Sequence, residues 1–211
     1  MNFTGLGLGL YLRAVEEVLR RVIKPETDLE AFLLRQPEIK QGMAWGVPRF
    51  GHPEGAVYRH VGEVLANVDR LPGLTAIDRL DLRLVTIVHD TFKYAEDKSE
   101  PRDWSRHHGI LAREYLSRFT RKRRVLDLTE WHDEAYYCWR LAVKQQRLSR
   151  ARQRMDVLTS VFDGELDFYY RFFLCDTRTG DKNQAPVRWF ERECGLDPVA
   201  WTHVRQVAQG S

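Results

Sequence analysis

A chain of 211 residues, 43% hydrophobic and 30% charged, fits one domain and is long enough to bury its own core. Its 33 basic and 30 acidic residues leave a formal net charge of +3, so no global basic field calls for nucleic acid as a partner. Cys138, Cys175 and Cys194 are few, odd in number and far apart, which suits reduced thiols in a cytoplasmic protein and not a disulfide framework.

In chain order, residues 1–12 are apolar and glycine-rich but lack a basic leader and a small-residue cleavage site, so a secretory signal is not expected. No apolar run reaches the ~18 residues a membrane span needs, and a soluble protein without a membrane partner is expected. Helical spacing of Leu12, Val15, Val18, Leu19 and Val22 predicts a first helix over 10–23, stopped before Pro25. Thr27 or Asp28 then caps a second helix running to Leu34, with Glu30 in its first turn. Pro37, Gly42, Gly46, Pro48, Gly51, Pro53 and Gly55 read as one long loop over 36–55, of a length that is often functional.

Beyond the loop almost everything reads as helix: about 55–70, 76–94, 103–120, 122–142, 145–161, 165–178, 186–194 and 197–208. Charged residues alternate with leucines over 78–84 in a strand-like way, but the longer segment favours a helix that becomes wholly buried near Ile87. The basic stretches 118–124 and 147–154 read mainly as solvated helix ends and faces, with a phosphate-rich partner as the alternative. The expected fold class is therefore all-α, a single compact helical bundle over 1–211.

His89-Asp90 closes the apolar run 82–88, and His60, His107-His108, His132 and Asp176 follow one another at intervals of about one helix. Imidazole and carboxylate together suit borderline transition metals, and a carboxylate can bridge two ions. Adjacent helical residues lie ~100° apart, so His89 and Asp90 can both approach one centre near a helix end. His108, Ala112, Tyr115 and Phe119 follow an inward-facing path, which favours His108 over His107 as a ligand. Asp133 or Glu134 could orient His132 from behind, and Asp176 follows an aromatic stretch where an ionised carboxylate needs compensation. His52, in the loop ahead of His60, could overhang the site, and His203 reads as structural.

The order His…His-Asp…His…His…Asp resembles that of the HD-domain superfamily of metal-dependent phosphohydrolases over roughly residues 55–182. The contexts Tyr58-Arg59-His60-Val61-Gly62-Glu63, Thr86-Ile87-Val88-His89-Asp90-Thr91-Phe92-Lys93 and Phe172-Phe173-Leu174-Cys175-Asp176 carry the likeness. The chain differs in reading Thr91-Phe92-Lys93-Tyr94 where the family usually has a small residue. The resemblance implies an HD-type bundle whose metal ligands are His60, His89, Asp90, His108, His132 and Asp176. They would hold one or two divalent ions, Mn, Fe, Co or Ni, with Mg also admissible. The implied reaction is hydrolysis of a phosphate ester by metal-activated water, on a small nucleotide or phosphomonoester and not on a polymer. Lys93, one turn after His89, is the expected phosphate contact and catalytic partner of Asp90, with Arg49, His107 and Lys182 as further phosphate contacts. Glu96 or Asp97 would serve as general acid. An HD-like di-iron oxygenase and a non-catalytic nucleotide-binding module are the alternatives, and a homo-oligomer is left open.

Overall fold

The computed structural model describes residues 5–50, 53–100 and 103–199. His52 and His203 lie outside these, as does most of the helix expected over 197–208. Among the described residues the secondary structure is all helical, around one contiguous apolar core. No helix among them is long and apolar enough to cross a membrane.

α1 (Gly5–Ile23) buries Leu19 and Ile23 and ends at Lys24, whose φ of 48° breaks the helix ahead of Pro25. α2 (Asp28–Leu33) has reciprocal capping at its start: the Thr27 hydroxyl accepts the Glu30 N–H at 3.1 Å, and the Glu30 carboxylate accepts the Glu26 N–H at 2.8 Å. The proline- and glycine-rich stretch is not loop throughout, because α3 (Pro37–Ala44) occupies its first half. Proline at the first helical position lacks only an N–H that would have no helical partner there, so Pro37 starts a helix. Gly42 within it has a packing role, since a β-carbon there would come within 1.7 Å of the Thr91 carbonyl oxygen.

α4 (Val57–Arg70) turns Val57, His60, Val61, Val64, Leu65 and Val68 inward, which places His60 on an apolar face. α5 (Ala76–Val88), capped by Thr75, runs through the middle of the molecule, packs against α4 and α7 (Arg123–Trp131), and is buried from Asp81 to Val88. The helix expected to reach residue 94 stops at His89. From there the chain tightens into i→i+3 bonds, Thr91 N to Val88 O, Lys93 N to Asp90 O and Ala95 N to Phe92 O.

The helices expected over 103–120 and 122–142 are also interrupted. A 3₁₀ turn over Trp104–Arg106 precedes α6 (His108–Leu116), and α7 is separated from α8 (Glu134–Trp139) by a break at His132-Asp133. α8 runs on into a wider π turn, Arg140–Lys144, followed by α9 (Leu148–Val161), α10 (Leu166–Thr177) and α11 (Ala185–Cys194). These interruptions fall beside the clustered histidines.

The central helix carries polar groups into the core only with partners. Arg83, 2% exposed, donates to both Glu30 carboxylate oxygens at 3.1 and 3.0 Å and to the carbonyls of Ile23 and Lys24, joining α5 to the α1–α2 corner. Removing one member of such a pair leaves the other charge buried and unmatched. Arg83→Met is accordingly expected to lower unfolding free energy by about 3–5 kcal/mol in denaturant titration. A loss below about 1 kcal/mol, the range of an exposed pair, would contradict this role.

Candidate metal centre

Two segments of the chain repeat one local arrangement. Thr86-Ile87-Val88-His89-Asp90 ends α5 and Thr129-Glu130-Trp131-His132-Asp133 ends α7. In each, the threonine hydroxyl bonds back to the carbonyl four residues earlier at 2.8 Å, and the histidine Nδ1 lies 2.9 Å from that threonine's own carbonyl. A carbonyl only accepts, so Nδ1 carries a proton in both rings and each Nε2 is the nitrogen turned to the interior, a lone-pair donor whenever the ring is neutral. In each doublet an aspartate follows the histidine at the point where the helix ends.

Around His89 the ring nitrogens and carboxylates form one half-site. His60 Nε2 lies 2.8 Å from Asp176 Oδ1 and 3.6 Å from Asp90 Oδ2, and His89 Nε2 lies 3.6 and 3.7 Å from Asp90 Oδ2 and Asp176 Oδ1. Around His132 lies a second. His108 Nε2 is 3.1 Å from His132 Nε2, 3.4 Å from Asp90 Oδ1 and 3.4 Å from Asp133 Oδ2. His132 Nε2 is 3.5 Å from Asp90 Oδ1 and 3.6 Å from Asp133 Oδ2. Asp90 therefore turns one carboxylate oxygen to each half.

These residues suit metal ions. Ligand atoms of His60, His89 and Asp90, and separately of Asp90, His108 and His132, lie within 4.8 Å of one another. Among the described residues, His89 Nε2 and Asp90 Oδ1 are buried polar atoms without a hydrogen-bond partner. The His132 lone pair faces another imidazole nitrogen, a contact that requires a positive charge between them, either a proton or a cation. Nitrogen and oxygen donors without thiolate suit borderline divalent transition metals.

The charges are balanced accordingly. Burial works against ionisation of Asp90, but Lys93 and His89 hold its carboxyl well below the usual range, and Lys182 and His60 do the same for Asp176. Asp133 is likewise held low against burial by His132 and His108. His60 is lowered to about 4 by burial and by Lys182, which keeps its imidazole neutral as a ligand must be. Burial opposes the charge on His108, yet its contacts with Asp133, Asp90 and Glu96 push it up to about 10.

The other expected site residues are placed as follows. Lys93 Nζ contacts Asp90 Oδ2 at 2.5 Å, and Lys182 Nζ contacts Asp176 Oδ1 at 3.2 Å. Both line an open cavity of about 510 Å³ that also includes Asp133 and Asp176. His107 caps α6, its Nδ1 accepting the Gly109 N–H at 3.1 Å, and its Nε2 lies 3.2 Å from the Tyr137 hydroxyl; it faces a separate, smaller hollow. Glu96 is buried behind the site, its Oε1 3.3 Å from His108 Nδ1, where it orients that ring and does not face the cavity. Asp97 accepts the Ser99 N–H in a turn, and Arg49 is exposed and outside the cavity wall, although its neighbour Phe50 lines the rim.

Glu96, His107 and His108 also bring ligand atoms within 4.8 Å, but this grouping shares His108 with the second half-site and uses the ring that caps α6. Asp133 turns its Oδ2 toward the Nε2 atoms of His108 and His132, whereas the ring-orienting role expected of it belongs to the Thr129 carbonyl. Glu134, the other residue considered for that role, is paired with Arg154. Glu54, whose Oε1 is 3.6 Å from His60 Nδ1, is an additional member. The repeated Thr-x-x-His-Asp spacing is the sequence signal that singles out Asp133. No family model, no curated protein and no solved structure matches the chain.

Substitutions should divide by half-site. Bound transition metal measured by elemental analysis is expected to fall to about half in His60→Ala or in Asp133→Ala, and to near zero in Asp90→Ala, which removes a ligand from both halves. Equal retention in all three would contradict the bridging arrangement. Metal must also displace the proton on His108. Affinity measured by calorimetry should therefore rise by up to about tenfold per pH unit between pH 6.5 and 8.5, with proton release. In the metal-free protein the stability contributed by this raised group is full below its ordinary pKa of 6.5 and is lost as pH climbs toward about 10. Metal affinity independent of pH across this window would contradict the assignment.

Proposed function

We propose that the chain is a metal-dependent phosphohydrolase of HD type, acting on a small phosphate ester. The observation that carries the reading is the pair of His/Asp half-sites joined by Asp90, whose members Asp133 and Asp176 line a cavity together with Lys93 and Lys182. The cavity, about 510 Å³, is of a size that takes a nucleotide or a comparable monoester. Three free cysteines suit a reducing compartment such as the cytoplasm.

Bound divalent ions would supply Lewis acidity and ionise water near neutral pH, the chemistry that phosphoryl transfer to water needs. The chain's own residues do the rest. Asp90 and Asp176 concentrate negative charge beside the cavity, and Lys93 and Lys182 offset it while offering ammonium groups to a phosphoryl oxygen. Thr86, Thr129 and Glu96 hold three imidazoles in orientation, so little reorganisation accompanies reaction. Tyr136, Tyr137, Trp139 and Phe173 are the aromatic part of the cavity wall, against which an organic leaving group can pack.

The test is anaerobic purification, elemental analysis, reconstitution with Mn, Co, Fe or Mg, and a panel of phosphomonoesters and phosphodiesters read as phosphate release. Metal-dependent turnover of a phosphomonoester is the expected result. Oxygen consumption by the iron-loaded protein without phosphate release would instead favour an oxygenase. In the active preparation, Lys93→Ala is expected to lower kcat/KM by about 10–100-fold, the worth of one charge-assisted contact, while metal content holds. Unchanged kinetics would remove Lys93 from the substrate site, and lost metal would make it a support of Asp90.

A further inference from the structure

The cavity carries cations at two levels. Lys93 and Lys182 lie deep, each 18% exposed at the side chain and each held against a site carboxylate. Arg140 and Lys144 lie on the exposed rim, at the first and last positions of the π turn that continues α8. The Gln145 N–H reaches the Arg140 carbonyl at 2.9 Å, so the helix widens there and ends with both side chains along the cavity edge. Such local widening of a helix is frequent where a side chain is aimed at a ligand.

The two rim cations differ from the deep pair in their partners. Among the described residues Arg140 and Lys144 form no ion pair, and their contacts are with aromatic rings: Arg140 Cζ is 5.9 Å from the Tyr136 centroid and Lys144 Nζ is 5.4 Å from the Trp139 centroid. Those two rings belong to the aromatic wall. The sequence from 140 to 155 contains no acidic residue, and the acids that line the same cavity are Asp133, Asp176 and Asp181. A cavity lined by aromatic rings, with one cation pair beside the site carboxylates and another on exposed positions, suits a ligand with a flat body and more than one anionic group.

We propose that Arg140 and Lys144 form a second anion subsite, and that the substrate is a phosphate ester carrying a second anionic group distal to the one that reacts. The proposal rests on the phosphohydrolase reading for which end reacts. The rim subsite itself needs only the cavity. Lys93 and Lys182 receive the reacting phosphoryl group, the aromatic wall receives the organic body, and Arg140 with Lys144 receives the distal phosphate or carboxylate.

The test compares adenosine 5′-monophosphate with adenosine 3′,5′-bisphosphate, titrated by calorimetry into the metal-loaded full chain. The bisphosphate is expected to bind at least about tenfold more tightly, a preference that shrinks with added salt. In Arg140→Ala/Lys144→Ala the preference should collapse to within about twofold, with metal content unchanged as evidence that the site is intact. Lys144→Arg alone should keep most of it, because charge and not shape is what the rim supplies. No preference in the wild-type chain, or equal weakening of both ligands in the double variant, would overturn the subsite. Phosphate release without a bisphosphate preference would leave the hydrolase reading standing and refute the subsite alone. A bisphosphate preference in a protein that releases no phosphate from any ester would do the reverse.

Discussion

The carbonyls of Thr86 and Thr129 hold the centre in place. Each takes the Nδ1 proton of the histidine three residues on, at 2.9 Å, which fixes the tautomer and turns the Nε2 lone pair inward. These bonds are possible because both histidines sit at helix ends, where the last carbonyls have no helical partner of their own. The same ends direct Asp90 and Asp133 to the site, since the chain leaves helical geometry one residue later. Had α5 run on to residue 94, the side chains of Asp90 and Lys93 would have followed the helical screw and not the tight turns that bring Lys93 Nζ to Asp90.

Keeping three carboxylates and several imidazoles together in a buried volume has an electrostatic cost, and the molecule meets it from both sides. Lys93 and Lys182 stand against Asp90 and Asp176 on the cavity side, and Glu54 and Glu96 stand behind His60 and His108. The helices behind this layer are joined by pairs of the same kind, Arg83 with Glu30, and Lys122 and Arg124 with Asp81. α5 thus carries charged groups that are matched on its outer turns and the shared aspartate just past its end. The close approach of Gly42 to Thr91 braces the turn after the doublet, which makes the small residue in α3 a steric requirement of the site's geometry.

Much of this was legible in the residue order. Helical periodicity marked the all-helical class, the apolar path through Ala112, Tyr115 and Phe119 favoured His108 over His107, and the order of histidines and aspartates singled out His60. What the order did not convey was where helices stop. Pro37 and Gly42 read as loop residues because composition cannot tell a proline that starts a helix from one that prevents it, nor a glycine required by packing from one required by a turn. The breaks at His89 and His132-Asp133 fall at the charged centre, and local propensity does not mark them. For the same reason Glu96 read as a cavity acid, although it lies behind a ring, and Asp133 as an orienting group, although it faces the lone pairs. The rim pair Arg140 and Lys144 was hidden inside an ordinary-looking helix end, because a π turn has no composition of its own.

The central claim is that Asp90 joins two metal-binding half-sites. Crystals of the protein loaded with manganese or iron, measured on both sides of the metal absorption edge, test it most directly. Two anomalous peaks are expected to flank the Asp90 carboxylate, one among His60, His89 and Asp176 and the other among His108, His132 and Asp133. A single peak among Glu96, His107 and His108, or no peak at Asp90 in fully loaded protein, would contradict it.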